Sequence, residues 1–142
     1  MTRIDFYTQV DHKLRFAGKL CAKALSQKLR VNVYAPDAAL ADHFDRLLWA
    51  DNATGFIPHC RAGDALAAET PVLIHAREGE LLHDALLINL DAAWPPFFSR
   101  FQRVIEIVST DTADASAARE RFRFYRDRGY ALQTHDMGAH HE

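Results

Sequence analysis

Short apolar runs alternate with amphipathic helical patterns along almost the whole chain, and this alternation constrains the fold more than any other feature. Residues 3–8 alternate as a strand, and residues 13–28 then set Leu14, Ala17, Leu20, Cys21, Ala24 and Leu25 at helical spacing. Residues 31–34 form a second short strand. Pro36 and Asp37 supply a capped start for a helix carrying Leu40, Phe44, Leu47 and Leu48. A loop covers residues 52–66, after which residues 71–75 and 85–89 read as strands buried on both faces. Pro95 and Pro96 break the chain, residues 104–108 predict another strand, and Ser109 to Asp111 offer caps for a long helix ending at Gly129. Residues 130–135 add a last strand. Each crossover helix must bury its apolar stripe on a sheet face. The pattern therefore predicts an α/β fold, three-layer α/β/α around a mostly parallel central sheet.

The chain has 142 residues, 49% of them apolar, enough for one buried core. The expected organisation is a single domain over residues 1–137, followed by a flexible C-terminal tail at 138–142 that carries His140 and His141. No stretch approaches the roughly 20 apolar residues of a membrane span, and the polar, basic start lacks the apolar core of a signal peptide. Cys21 and Cys60 are too few for a disulfide framework or a Cys-rich zinc module. Together these features predict a cytoplasmic protein without a membrane partner.

An open α/β sheet takes ligands at the carboxyl ends of its strands, so residues 8–12 are the place to expect phosphate binding. They contain no glycine, and no Walker-type sequence occurs anywhere. The expected fold is thus Rossmann-like without a phosphate-binding loop, and a small nucleotide-binding enzyme remains an alternative on fold analogy alone. His43, His59, His75, His83 and His135 fall on separate elements without i, i+4 ligand spacing, which predicts surface or structural histidines and no metal site. Ser99, Ser109, Ser116 and Cys60 lack a nucleophile-elbow setting, so no catalytic residue and no cofactor are expected.

Charge is unevenly placed although the net value is only −2. Residues 12–36 carry Lys13, Arg15, Lys19, Lys23, Lys28 and Arg30 with no carboxylate, and residues 119–130 carry five arginines against Glu120 and Asp127. A direct nucleic-acid binder is one reading of these segments, and the acidic overall balance counts against it. On a helical wheel Ala118, Phe122, Tyr125 and Gly129 share the sheet-facing side, and Arg119, Arg123 and Arg126 form a stripe beside it. Guanidinium groups bind carboxylates in bidentate fashion, so this stripe beside an aromatic ring suits an acidic peptide tail, with phosphate as the competing anion. A solvated face whose arginines pair with nearby carboxylates fits the same pattern equally, and Arg121 and Arg128, on the other flank, fit it better. A second cluster joins Leu47, Leu48 and Trp49 to Phe56, Ile57 and Pro58. It reads as a partner patch if the rings face outward and as core closure if they do not. Around Trp94, Phe97 and Phe98 the prolines favour a rigid core corner.

In order and spacing the chain resembles the chi subunit of bacterial DNA polymerase III holoenzyme. The likeness is carried by Phe6-Tyr7, Leu48-Trp49, Phe56-Ile57-Pro58-His59, Pro71-Val72 with Ile74, and Leu87-Ile88-Asn89-Leu90. It continues through Phe101, Arg103 and Glu106-Ile107-Val108, and is strongest over residues 118–123, Tyr125-Arg126 and Gly129-Tyr130. The resemblance implies a non-catalytic clamp-loader adaptor that binds the acidic, aromatic-ended C-terminal tail of single-stranded DNA-binding protein and contacts DNA mainly indirectly. By resemblance Arg119 and Arg123 hold tail carboxylates and Phe122 lines an apolar pocket, to which the wheel adds Arg126. Trp49 and Phe56, with Pro58 beside them, match positions that contact the psi subunit or an equivalent, a surface for which a helicase-like protein competes in some relatives. One departure stands out: a basic residue common four places before Arg119 is Ala115 here.

Overall fold

The computed structural model describes residues 2–50, 57–62, 64–76 and 83–138. The chain runs β1 (Arg3–Val10), α1 (Lys13–Ser26), β2 (Val31–Tyr34), α2 (Ala38–Ala50), β3 (His59–Arg61), β4 (Val72–His75), β5 (Leu86–Asn89), β6 (Arg103–Ser109), α3 (Thr112–Asp127) and β7 (Ala131–Asp136). The strands form one seven-stranded sheet in the order β3-β4-β2-β5-β6-β1-β7. Every neighbouring pair is parallel.

Strand alternation divides the sheet into two apolar faces. Val31 and Val33 of β2, Val72 and Ile74 of β4, Ile88 of β5, and Ile105 and Ile107 of β6 join Ala17 and Cys21 of α1 and Phe44 and Leu48 of α2 in one core. Ile4 and Phe6 of β1, Leu87 of β5, and Val104 and Val108 of β6 join Ala118 and Tyr125 of α3 in the other. Pro95 is buried, and Phe97, Phe98 and Phe101 extend that second layer, the rigid corner expected of this segment. The molecule is therefore the expected three-layer α/β/α arrangement, with its sheet parallel throughout.

The departures from expectation are local. The loop expected over residues 52–66 contains β3, whose His-Cys-Arg sequence is too short and polar to show a strand period. Its pairing with β4, His59 opposite Val72, makes it a strand. Residues 52–56 and 63 of that loop lie outside the described residues. β1 runs two residues beyond the expected end, because Gln9 adopts φ +58 and shifts the register between Tyr7 and Val10, turning Val10 into the α1 and α2 core. Helix α1 stops at Ser26, with Lys28 just beyond it at φ +60. His140 and His141 also lie outside the described residues.

Among the described residues polar groups enter the sheet at three points. Near the β4 side Asn32 Oδ1 accepts from His75 Nε2, while Asn32 Nδ2 donates to His83 Nδ1 at 2.9 Å and to the His83 carbonyl at 3.1 Å. His75 is thus a structural histidine. Burial lowers its pKa, and burial with Arg30 and His75 nearby lowers that of His83 to about 4. The second point lies under α3. The third is Asp5 of β1, which is buried with its carboxylate 2.7 Å from Arg103 Nε and 3.0 Å from His135 Nε2.

Candidate functional site

Helix α3 starts where the sequence places its caps. Asp111 Oδ2 accepts from the Asp114 amide at 3.0 Å, and Asp114 Oδ2 accepts from the Ser109 amide at 2.7 Å. Lys13 Nζ adds a 3.0 Å ion pair to Asp114 Oδ1, tying the start of α1 to the start of α3. Burial raises the Asp114 pKa, but the Ser109 amide and Lys13 outweigh it and hold the carboxyl below its usual value. At the other end Gly129 takes φ +80, the left-handed conformation that lets the chain turn from α3 into β7.

The underside of α3 is not the face the wheel predicts. Ala118, Arg121 and Tyr125 are buried, Phe122 is half-buried and Gly129 is exposed. Arg121 is thus a core residue rather than part of a solvated face. Its Nε lies 2.8 Å from Glu106 Oε1, and Nη1 donates to the Ala92 carbonyl at 2.8 Å. Tyr125 Oη donates to Glu106 Oε2 at 2.6 Å, and Asn89 Nδ2 donates to both Glu106 oxygens at 3.1 and 3.0 Å. Burial first, then the Glu106 charge, pushes the Tyr125 hydroxyl far above its ordinary pKa. A buried carboxylate that accepts from three side chains fixes how α3 sits on β5 and β6. Two signals were available in the sequence: a lone glutamate inside an otherwise apolar strand, and an arginine four residues before a sheet-facing tyrosine.

The arginine stripe projects above this anchor. Arg119, Arg123 and Arg126 are exposed, and Phe122 meets Phe6 of β1 edge-on, with ring centroids 5.3 Å apart. Arg123 pairs with Glu120 at 3.0 Å and Arg126 with Asp127 at 3.2 Å, both among exposed groups. Among the described residues Arg119 has no carboxylate within ion-pair distance. Solvated pairs of this kind are worth about 0–1 kcal/mol and exchange readily for an incoming carboxylate. Ala115, in place of a basic residue, is half-buried against the α3 core. On the opposite flank Arg128 lies over the Phe124 ring at 3.7 Å, and Trp94 stacks on that ring with centroids 3.7 Å apart.

The second expected patch sits at the end of α2. Trp49 is 63% exposed, while its neighbour Leu48 is buried. The indole lies 5.0 Å from the His59 ring, which is bonded through Nδ1 to the Ile57 carbonyl at 2.6 Å and lies with Nε2 3.1 Å from Asp45 Oδ1. Pro58 is exposed, and Phe56 lies outside the described residues. α2 abuts β3 at one sheet edge, whereas α3 leads into β7 at the other, so the structure does not bring the two patches together.

Comparison with known proteins places the chain. Residues 1–133 match the family described as DNA polymerase III chi subunit, HolC. A Pseudomonas aeruginosa protein named DNA polymerase III subunit chi is 40% identical over 141 residues, covering 96% of this chain and 98% of that protein. Proteins of the same name from Haemophilus influenzae and Escherichia coli are 32% and 31% identical, covering 86% and 94% of this chain and 85% and 89% of their own lengths. The chain belongs to the DNA polymerase III chi subunit family.

Proposed function

We propose that the protein is a non-catalytic adaptor of the replicase that binds the acidic C-terminal tail of single-stranded DNA-binding protein and links it to the clamp loader. One observation carries this reading: Arg119, Arg123 and Arg126 stand in an exposed row beside the half-buried Phe122 ring, on a helix fastened from below by Arg121 and Glu106. Such a row offers bidentate donors to carboxylates, and the Phe122 ring against Phe6 offers an apolar seat for an aromatic chain end. Trp49 and Pro58, with Phe56 between them in sequence, form the surface for psi or an equivalent clamp-loader protein, open also to a helicase-like competitor. DNA is contacted mainly through these partners, and the protein acts in the cytoplasm, at the nucleoid-associated replisome. Residues 1–137 serve as one domain and 138–142 as a tail.

A synthetic acidic peptide ending in Pro-Phe tests the reading by fluorescence anisotropy. Micromolar binding that weakens as salt rises is expected, and Arg119→Ala loses most of it. Unchanged affinity in the folded Arg119→Ala protein overturns the assignment.

A further inference from the structure

Resting on the peptide-binding reading of α3, we propose that the acidic peptide docks as an extended strand along the free edge of β7, adding an eighth strand to the sheet. Among the described residues β7 pairs with β1 alone and ends the sheet. The Met137 amide points inward, donating to the Thr8 carbonyl at 2.9 Å. Backbone groups alternate sides along a strand, so the N–H and C=O of Leu132 and Thr134 face outward. Edge strands are usually blunted by lysine, proline or a bulge. Over Ala131–Asp136 the sequence ALQTHD has no lysine or proline, and its register with β1 is unbroken from Arg3 opposite Ala131 to Thr8 opposite Asp136. At the other edge β3 offers only three residues.

The side-chain geometry agrees with an occupant at this edge. Thr134 is the register partner of Phe6, and the Phe6 ring touches Phe122, so the Phe122 flank of α3 stands over the β1 and β7 pair. The Phe124 flank instead faces Trp94 and Phe98. Arg119 and Arg126 lie three residues before and four after Phe122, on the same flank. Residues on one face of an added strand recur about every 6.6 Å. Arg119 to Arg123 rises about 6 Å along the helix. Carboxylates two positions apart on the peptide therefore meet Arg119 and Arg123 while the peptide backbone pairs with β7. Charge selects this occupant over a second copy of the chain, which would bring an identical arginine row alongside the first.

The test uses the full chain and three fluorescein-labelled peptides of alternating aspartates ending in Pro-Phe. One is unmodified, and two carry N-methyl groups on every second backbone amide, in opposite phases. In strand pairing only one phase of amides faces β7, so one methylated peptide binds about tenfold or more weakly and the other within about twofold of the parent. Thr134→Pro removes an outward donor at a position where an edge strand tolerates proline, and weakens the parent peptide by about tenfold. Should that variant fail to fold, the methylated pair still decides, because it leaves the protein unaltered. Equal binding of all three peptides overturns strand addition and leaves the peptide-binding reading standing; no binding of the parent peptide overturns both. Concentration-dependent self-association of the chain that Thr134→Pro abolishes also overturns it, since the edge is then taken by a second copy.

Discussion

Arg121 of α3 and Glu106 of β6 form a fully buried ion pair, Nε to Oε1 at 2.8 Å, at the middle of the interface between the outer helix and the sheet. The pair costs desolvation to form, so its removal is informative only one partner at a time. Arg121→Met leaves the Glu106 carboxylate buried without its cation and is expected to cost about 3–5 kcal/mol in urea unfolding. Adding Glu106→Gln restores part of that loss, because the amide oxygen still accepts from Tyr125 and no charge is orphaned. A double variant no more stable than Arg121→Met would show that the two groups are not energetically coupled.

Acid should weaken the fold in two steps. His75 and His83 have lowered folded-state pKa values, so the unfolded chain binds more protons than the folded one as pH falls from about 6.5 towards about 4, the His83 value. Stability therefore drops across that window. Asp5 and Asp114 act lower down. Burial raises both carboxyls, but Arg103 and His135 at Asp5, and the Ser109 amide and Lys13 at Asp114, outweigh it. Their contribution is present above the unfolded carboxylate pKa and is lost as pH falls through the lowered folded value. Urea midpoints measured from pH 7 to pH 3 check both steps, and His83→Gln should flatten the first. A midpoint constant between pH 7 and pH 4.5 would contradict this account.

Adjacent residues at the end of α2 should respond in opposite ways. Leu48 is buried, and Leu48→Ala is expected to cost about 2–5 kcal/mol. Trp49 is mostly exposed, and Trp49→Ala should cost less than about 1 kcal/mol despite the larger deletion. Thermal unfolding of the two variants distinguishes a surface residue from one that supports the α2 and β3 junction.

Gly129 sits at φ +80, and a Cβ there would meet nothing within 4 Å. Any penalty for Gly129→Ala is therefore backbone strain, about 1–2 kcal/mol. Gly129→Asn should lose less, because asparagine tolerates the left-handed region. Equal losses in chemical denaturation would point to a cause other than dihedral strain.

The legible part of this fold was the part governed by periodicity. Valine, leucine and isoleucine runs at β2, β4, β5 and β6 gave strands close to their observed bounds, and Asp37 and Asp111 marked helix starts that the hydrogen bonds bear out. β3 escaped because tertiary pairing, not its own His-Cys-Arg sequence, makes it a strand. Arg121 escaped because a wheel ranks arginine as solvent-facing, and only the buried Glu106 across the interface reverses that ranking. For the candidate site, the exposure of Arg119, Arg123 and Arg126 followed from spacing along one helix. The ion pairs with Glu120 and Asp127 depend on rotamers that no spacing rule fixes. Trp49 and Leu48 show the same limit, since one residue of helical rotation separates core from surface.

The strand order sets the distance between the two proposed docking surfaces. With β3 first and β7 last, six inter-strand steps of about 4.8 Å put the two rims roughly 29 Å apart. Mobile ions damp an electric field within about 8 Å at physiological salt. On the proposed reading, negative charge docking at the β7 rim lies several screening lengths from the β3 rim, so ionic contacts made at one rim are expected to leave affinity at the other unchanged.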